Sequence, residues 1–208
     1  MEVLVLGVGM QGKAALHDLA ASPLVSGVIA ADRDVDSLRA LVRTRGYRNV
    51  TCLPLDASDP SSIDALLRRR PAVVVDLLPI DFIGAVARSA LKHGVHLVNT
   101  FYVVPELAAL AGEAAAKNLV FLPEFGMDPG IDLVLLGEAL RRLDRVKEVH
   151  SYGAGIPEPA AADNPLKYKI TWTFDGVLRS YKRPGRMMRA GKVVDIPAVD
   201  QFAPGNIH

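Results

Sequence analysis

The chain has 208 residues, room for one full hydrophobic core and part of a second at ~150 residues per domain, which excludes a small disulfide scaffold. Hydrophobic residues make up 50% and charged residues 23%, with 17 Gly and 14 Pro dispersed along the chain, so wholesale disorder and collagen-like repeats are excluded. Twenty-four Lys and Arg against 23 Asp and Glu leave a net charge of +1, without a global field to draw in nucleic acid or an anionic membrane.

Met1 leads directly into Glu2-Val3-Leu4-Val5-Leu6-Gly7, an apolar run too short for a signal-peptide core and with no basic residue ahead of it, which points to a cytoplasmic protein. Short β-branched runs then recur: Val3 to Leu6, Val28 to Ala31, Val50 to Leu53, Val73 to Leu77, Val95 to Asn99 and Leu119 to Leu122 read as strands. Between them, Gln11 to Ala21, Asp34 to Arg45, Ser61 to Arg69, Phe82 to His93 and Pro105 to Lys117 carry apolar residues at helical spacing. Pro60-Ser61-Ser62 and Pro105 mark helix starts, and Gly46 and Gly94 mark stops. Cys52, the sole cysteine, cannot form an intramolecular disulfide and reads as a small semi-buried residue. Asp76, Asp81 and Glu138 interrupt the most apolar stretches, so no membrane span is expected. Alternation of this kind predicts an α/β fold, a doubly wound parallel sheet of the Rossmann type with right-handed crossovers.

After about residue 124 the rhythm changes. Phe125-Gly126-Met127-Asp128-Pro129-Gly130 reads as a rigid turn, followed by an amphipathic helix from Ile131 to Leu143. Val146 to Ala154 and Tyr168 to Phe174 look like strands, Asp175-Gly176 like a hairpin turn, and Gly153 to Pro165 like a long Ala/Pro/Gly loop. The division expected is a dinucleotide-binding domain over 1–128 and a partial α+β substrate or dimerisation domain over 129–208. The latter looks incomplete, because the last residues, Gln201 to His208, contain no closing helix or strand.

Gly7-Val8-Gly9-Met10-Gln11-Gly12 is G-x-G-x-x-G directly after a strand and opening a helix, the context that gives the motif meaning. The first glycine permits the tight turn, Gly9 lets backbone approach a pyrophosphate, and Gly12 lets helix pack on strand; Met10 and Gln11 contribute to the helix N-terminus. Asp32 ends the second strand, 20 residues after Gly12, where a carboxylate accepts the adenosine ribose hydroxyls. It should repel a 2'-phosphate, favouring NAD, but the adjacent Arg33 can stack on adenine or neutralise such a phosphate, so NADP stays possible. Asp56 either meets the adenine amino group or caps the next helix. Leu77, Leu78 and Pro79 end the fourth strand beside the expected pyrophosphate and nicotinamide ribose, or are plain core.

Taken with Leu55-Asp56, Leu78-Pro79 and Thr100-Phe101-Tyr102-Val103, the segments Phe125 to Asp132 and Asn164-Pro165-Leu166-Lys167-Tyr168-Lys169-Ile170-Thr171-Trp172 resemble the saccharopine dehydrogenase family. The D-P-G-I-D turn and the N-P-L-x-Y-K segment followed by Gly176-Val177-Leu178 are the specific features, and the likeness spans nearly the whole chain. Asp32 and the Ser180-Tyr181-Lys182-Arg183-Pro184 stretch lean toward the lysine 6-dehydrogenase and saccharopine reductase-like branch. The resemblance implies a Rossmann domain, a mixed-sheet substrate domain and hydride transfer between a nicotinamide ring and the carbon of a C–N bond on a lysine-derived amino acid. Family members run on well past the length of this chain.

Oxidising an amine requires a proton acceptor near the nitrogen and cations for the substrate carboxylate. Open α/β sheets bind ligands beyond the carboxyl ends of their strands, so Tyr102, Glu124 and Asp128 face the nicotinamide region. Asp128 leads as the polar-site candidate, against an alternative in which it bonds its own turn; Glu124 is a catalytic candidate or a turn cap, and Tyr102 a substrate contact or junction filler. Lys169 and Lys167 are expected on one face of a strand, with Tyr168 opposite. The resemblance singles out Lys169 for a carboxylate or proton-transfer role, where a solvated lysine is the alternative. Trp172 reads as packing or as a substrate lid.

The run from Arg179 to Lys192 holds six basic residues and no acidic one, and a β-hairpin gripping an anionic substrate or another subunit fits it better than nucleic acid does. Arg68-Arg69-Arg70 reads as helix C-terminal dipole chemistry on a solvated surface. The five histidines form no pair with metal-ligand spacing, and no metal is expected. The chain thus reads as an NAD(P)-dependent oxidoreductase acting on an amino-acid substrate, as a homodimer or higher homo-oligomer. The alternative is a non-catalytic NAD(H)-binding or sensing module with an oligomerisation region.

Overall fold

The computed structural model describes residues 1–153, 155–170 and 174–206. It divides into two compact units, Met1–Ser151 and Tyr152–His208.

The first unit is built on six strands, β1 (Glu2–Leu6), β2 (Gly27–Asp32), β3 (Val50–Pro54), β4 (Val73–Asp76), β5 (His96–Asn99) and β6 (Phe121–Leu122). All pair in parallel, in the order β3-β2-β1-β4-β5-β6. That is the doubly wound arrangement, and its topological switch point lies between β1 and β4. The helices α1 (Met10–Ala21), α2 (Val35–Arg45), α3 (Pro60–Leu67), α4 (Ile83–His93) and α5 (Pro105–Ala116) follow the strands as crossovers, and α6 (Ile131–Arg141) follows β6.

Both faces of the sheet are covered, which is why its central strands read as unbroken apolar runs rather than alternating ones. Leu4, Leu6, Ile29, Ala31, Val74 and Leu97 face Ile63, Leu66 and Leu67 of α3, Ile83, Val86 and Ala90 of α4, and Leu107 of α5. Val3, Val5, Val28 and Ala30 face Leu16 of α1 and Leu38 of α2. Each fully buried Leu or Val contributes about 1.5–3 kcal/mol relative to exposure. Glycines stop the helices where expected, Gly46 after α2 at φ 69° and Gly94 after α4 at φ 70°. Asp34 caps α2 and Asp59 caps α3, each accepting a backbone N–H in the first turn.

Two expected strands differ. Residues 146–153 carry no strand, and Ala154 lies outside the described residues. Tyr168, Lys169 and Ile170 are also irregular, Thr171 to Thr173 lie outside the described residues, and Phe174 opens a helix instead. β-Branched and aromatic residues are locally compatible with a strand, but a strand forms only where a partner accepts its ladder, and among the described residues neither segment has one.

In the second unit, Asp175-Gly176 is not a hairpin turn but the first turn of α7 (Phe174–Ser180), where Asp175 favours the helix N-terminus. The hairpin comes later, from β7 (Gly185–Arg189) and β8 (Lys192–Ile196), inside and just past the basic run. Its two-residue turn places Ala190 at φ 49° and Gly191 at φ 74°, the doubly left-handed geometry that matches strand twist. Tyr181 meets Phe202 edge to face at 5.4 Å between ring centres. Among the described residues, Ile196 is the one buried apolar side chain of this unit.

Candidate dinucleotide and active site

Beyond the carboxyl end of β1 the three motif glycines have three different physical reasons. Gly7 lies at φ 84°, and a Cβ there would stand 2.9 Å from the Leu77 carbonyl oxygen. A Cβ on Gly12 would stand 2.1 Å from the Gly7 carbonyl oxygen, so this residue fixes how closely α1 approaches β1. A Cβ on Gly9 would meet nothing within 4 Å, which leaves the loop open on its outer side. Gly9 is the N-cap of α1 without a side-chain cap, and the first turn holds no acidic residue. Its N–H groups, with Met10 and Gln11 exposed beside them, therefore face outward at the positive end of the helix dipole.

Asp32, the last residue of β2, is fixed at both oxygens: Oδ2 accepts the Val8 N–H at 2.6 Å and Oδ1 the Asp34 N–H at 2.9 Å. The carboxylate is thereby held against the glycine loop with its remaining lone pairs available to hydroxyl donors. Arg33 is exposed next to it. Asp56 is committed to its own loop, where Oδ1 accepts the Ser58 hydroxyl at 2.6 Å and the Ser58 N–H at 3.0 Å. These donors hold its carboxyl below the usual range. The cap of α3 is Asp59 rather than Asp56. At the end of β4, Leu78 is buried in the core and Pro79 is exposed.

Beyond β5 and β6 a second group assembles. The Tyr102 hydroxyl donates to Asp128 Oδ1 at 3.2 Å. Glu124, at φ 58°, accepts the Val103 N–H at 3.2 Å through Oε1, while its own N–H donates to the Phe101 carbonyl at 2.9 Å. Glu124 therefore ties the two loops together. Gly130, at φ 149°, sits where a Cβ would stand 2.1 Å from the Gly126 carbonyl oxygen, so the Asp-Pro-Gly turn closes only with glycine here. Asp132 Oδ1 caps the turn by accepting the Gly130 N–H at 2.7 Å.

The remaining candidates fall in the second unit. Lys169 pairs with Asp163 at 2.8 Å. Lys167 lies at φ 50° in a turn, so the alternation expected for a strand does not apply to the two lysines. Trp172 lies outside the described residues. In the basic run, Arg186 pairs with Asp195 at 2.6 Å, and Arg189 donates to the Gly205 carbonyl and to Asn206 Oδ1. Among the described residues no cluster of His, Cys, Asp and Glu suits a metal ion, and no helix is long and apolar enough to cross a membrane.

Sequence reasoning passed over two residues, Asp76 at the end of β4 and Asn99 at the end of β5, both 0% exposed. Burial pushes the Asp76 carboxyl up to about 7, against the opposing effect of the Leu78 N–H. The available signal was a polar residue closing each of two otherwise apolar strands.

The family described as Saccharopine dehydrogenase NADP binding domain matches residues 3–122, and that described as Saccharopine dehydrogenase C-terminal domain matches residues 126–207. The chain is 30% identical over 205 residues to the saccharopine dehydrogenase [NADP(+), L-glutamate-forming] of Saccharomyces cerevisiae, covering 97% of this chain and 45% of that protein. It is 33% identical over 155 residues to the alpha-aminoadipic semialdehyde synthase of Arabidopsis thaliana, covering 73% of this chain and 14% of that one. The structure of apo saccharopine dehydrogenase (L-Glu forming) from Saccharomyces cerevisiae superposes with a TM-score of 0.75 at 28% identity, over 98% of this chain and 45% of that chain. This chain thus spans less than half the length of these relatives.

Proposed function

Because this chain belongs to the saccharopine dehydrogenase family, we infer that it is a nicotinamide-dependent oxidoreductase acting on a C–N bond of lysine, saccharopine or a closely related amino acid. The observation that carries the reading is the presence, beyond the carboxyl ends of the parallel strands, of an uncapped glycine loop after β1 and a hydroxyl–carboxylate pair after β5 and β6, Tyr102 with Asp128. The loop fits a dinucleotide: Gly9 leaves room for a pyrophosphate, α1 presents free N–H groups to it, and Asp32 is fixed to accept ribose hydroxyls.

NAD is the preferred cofactor in this reading, although the name of the yeast relative specifies NADP(+). A carboxylate held rigidly at the end of β2 repels a 2'-phosphate, and Arg33 only partly offsets that repulsion. When bound, the nicotinamide supplies the hydride acceptor. Asp128 takes the proton from the substrate nitrogen, and the Tyr102 hydroxyl orients its carboxylate. Glu124 holds the loop of Tyr102 in place through the Val103 N–H rather than touching substrate.

The test is a fluorescence titration of the 208-residue chain with NADH and NADPH. It is followed by assays with lysine, saccharopine, or 2-aminoadipate semialdehyde plus glutamate, monitored by absorbance of the reduced nicotinamide. Tighter binding of NADH and turnover of at least one substrate is the expected result. A chain that binds neither dinucleotide overturns the reading; binding without turnover overturns the substrate assignment alone.

A further inference from the structure

The helix that follows β6 departs from the pattern of the five before it. Each of α1 to α5 buries at least one residue, whereas among the described residues α6 buries none. Its sequence, Ile-Asp-Leu-Val-Leu-Leu-Gly-Glu-Ala-Leu-Arg, is nonetheless apolar on nearly every side. A helix of that composition belongs in an interior.

The sides of α6 are not equally bare. Leu133 and Leu140 are 43% and 38% exposed, while Ile131, Val134 and Leu135 are 58%, 70% and 64% exposed. These last three fall at i, i+3 and i+4, on one face of the helix. The preceding turn adjoins them: the Ile131 N–H donates to the Gly126 carbonyl at 3.0 Å and the Asp132 N–H to the Met127 carbonyl at 3.2 Å, which holds the exposed Phe125 and Met127 beside the first helical turn. Together the five residues expose roughly 700 Å², more than the largest apolar patch of an ordinary monomer and near the about 800 Å² that each partner contributes to a stable interface.

We propose that this face is where two copies of the chain meet, α6 packing antiparallel on its counterpart about a two-fold axis beside Leu135. The area is that of a dimer contact. The charges are self-complementary as well: α6 carries Asp132 in its first turn and Arg141 in its last, so an antiparallel pair sets the basic end of each helix over the acidic end of the other and opposes the two helix dipoles. The neighbouring sheet edge, β6, is two residues long, too short to template strand addition, which leaves the helix as the contact. This association holds whether or not the chain performs the chemistry inferred above.

A contact beside a two-fold axis has a specific signature, because the residue there meets its own copy. Sedimentation velocity over about 1 to 100 μM should show the parent in a monomer–dimer equilibrium. Leu135→Glu and Leu135→Lys should each weaken dimerisation by about thirtyfold or more, as expected for a residue at the centre of an interface. An equimolar mixture of the two variants should dimerise again, since opposite charges then meet across the axis. Leu24→Glu, at a leucine 73% exposed in the turn after α1, should leave the dimer intact.

Leu135 is exposed in the single chain, so both variants should keep the parent's circular dichroism; if either does not, Val134→Glu on the same face takes its place and should likewise weaken the dimer. A monomeric parent overturns the proposal. So does a dimer that survives the substitutions on α6 or yields equally to Leu24→Glu, and a mixture of the two folded Leu135 variants that stays monomeric overturns the antiparallel two-fold pairing.

Discussion

Asp32 accepts the Val8 N–H through Oδ2 at 2.6 Å, so the residue expected to read the ribose also braces the loop expected to hold the phosphates. Asp32→Ala removes both functions. NADH binding should weaken by about tenfold to a hundredfold, the worth of one or two hydrogen bonds to a charged group. The preference for NADH over NADPH should shrink as well, since the carboxylate that repels the 2'-phosphate is gone. Fluorescence titration with both cofactors decides this, and an unchanged ratio would remove Asp32 from cofactor selection.

The three loop glycines should separate experimentally. Gly12→Ala drives a methyl group into the Gly7 carbonyl, a backbone contact that cannot rotate away. A loss of about 1–3 kcal/mol is expected, seen as a melting temperature lower by about 5 °C. Gly9→Ala enters open space and should leave the melting temperature unchanged while weakening dinucleotide binding. Equal destabilisation by both variants would contradict the separate roles given to them.

Asp128→Asn should reduce turnover by about a hundredfold or more, as expected when a general base is lost. Tyr102→Phe should cost less, because it frees the carboxylate without removing it. Neither should change the dissociation constant for NADH. Steady-state kinetics read against titration separate the two effects; full turnover in both variants would sink the assignment of this pair.

Asp64 joins α3 to α4. Lys92 Nζ lies 2.9 Å and His93 Nε2 2.8 Å from Oδ1, and Arg68 donates to Oδ2 at 2.9 Å. Lys92, His93 and Arg68, in that order, hold its carboxyl well below the usual carboxylate range. A depressed acid contributes stability above its unfolded pKa and loses it as the pH falls through the folded value, so the loss belongs below about pH 4. Asp64→Asn should lower the melting temperature at pH 7, and the gap to the parent should close on acidification below that point. Because Lys92 and Arg68 are exposed, the gap at pH 7 should also narrow with salt. A gap that shows no narrowing between about pH 5 and about pH 2 would show that the carboxylate charge is not what stabilises this corner.

The first unit was legible because its signals are local. Val3 to Leu6 and Val73 to Val75 are apolar on both faces, which suits a strand covered on two sides, and Gly46 and Gly94 end helices by their own backbone preference. The second region was misread where the signal needed a partner. Val146 to Gly153 carries strand-forming Val146, Val149 and Tyr152 but has no neighbour to pair with among the described residues, while Asp175-Gly176 is turn chemistry that a helix start uses equally well.

Sequence alone determined the alternation of strands and crossovers, the glycine loop and the carboxylate that follows it, since each depends on residue type at fixed spacing along the chain. Tertiary structure decided what depends on register and approach. It placed the Tyr102 hydroxyl on Asp128 across 26 residues, spent Glu124 on the Val103 N–H, and set Asp76 beside Asn99 in adjacent strands. Those distances in sequence are bridged only when parallel strands align, because the hydrogen-bond ladder that fixes which residues face each other does not exist until both strands are in the sheet.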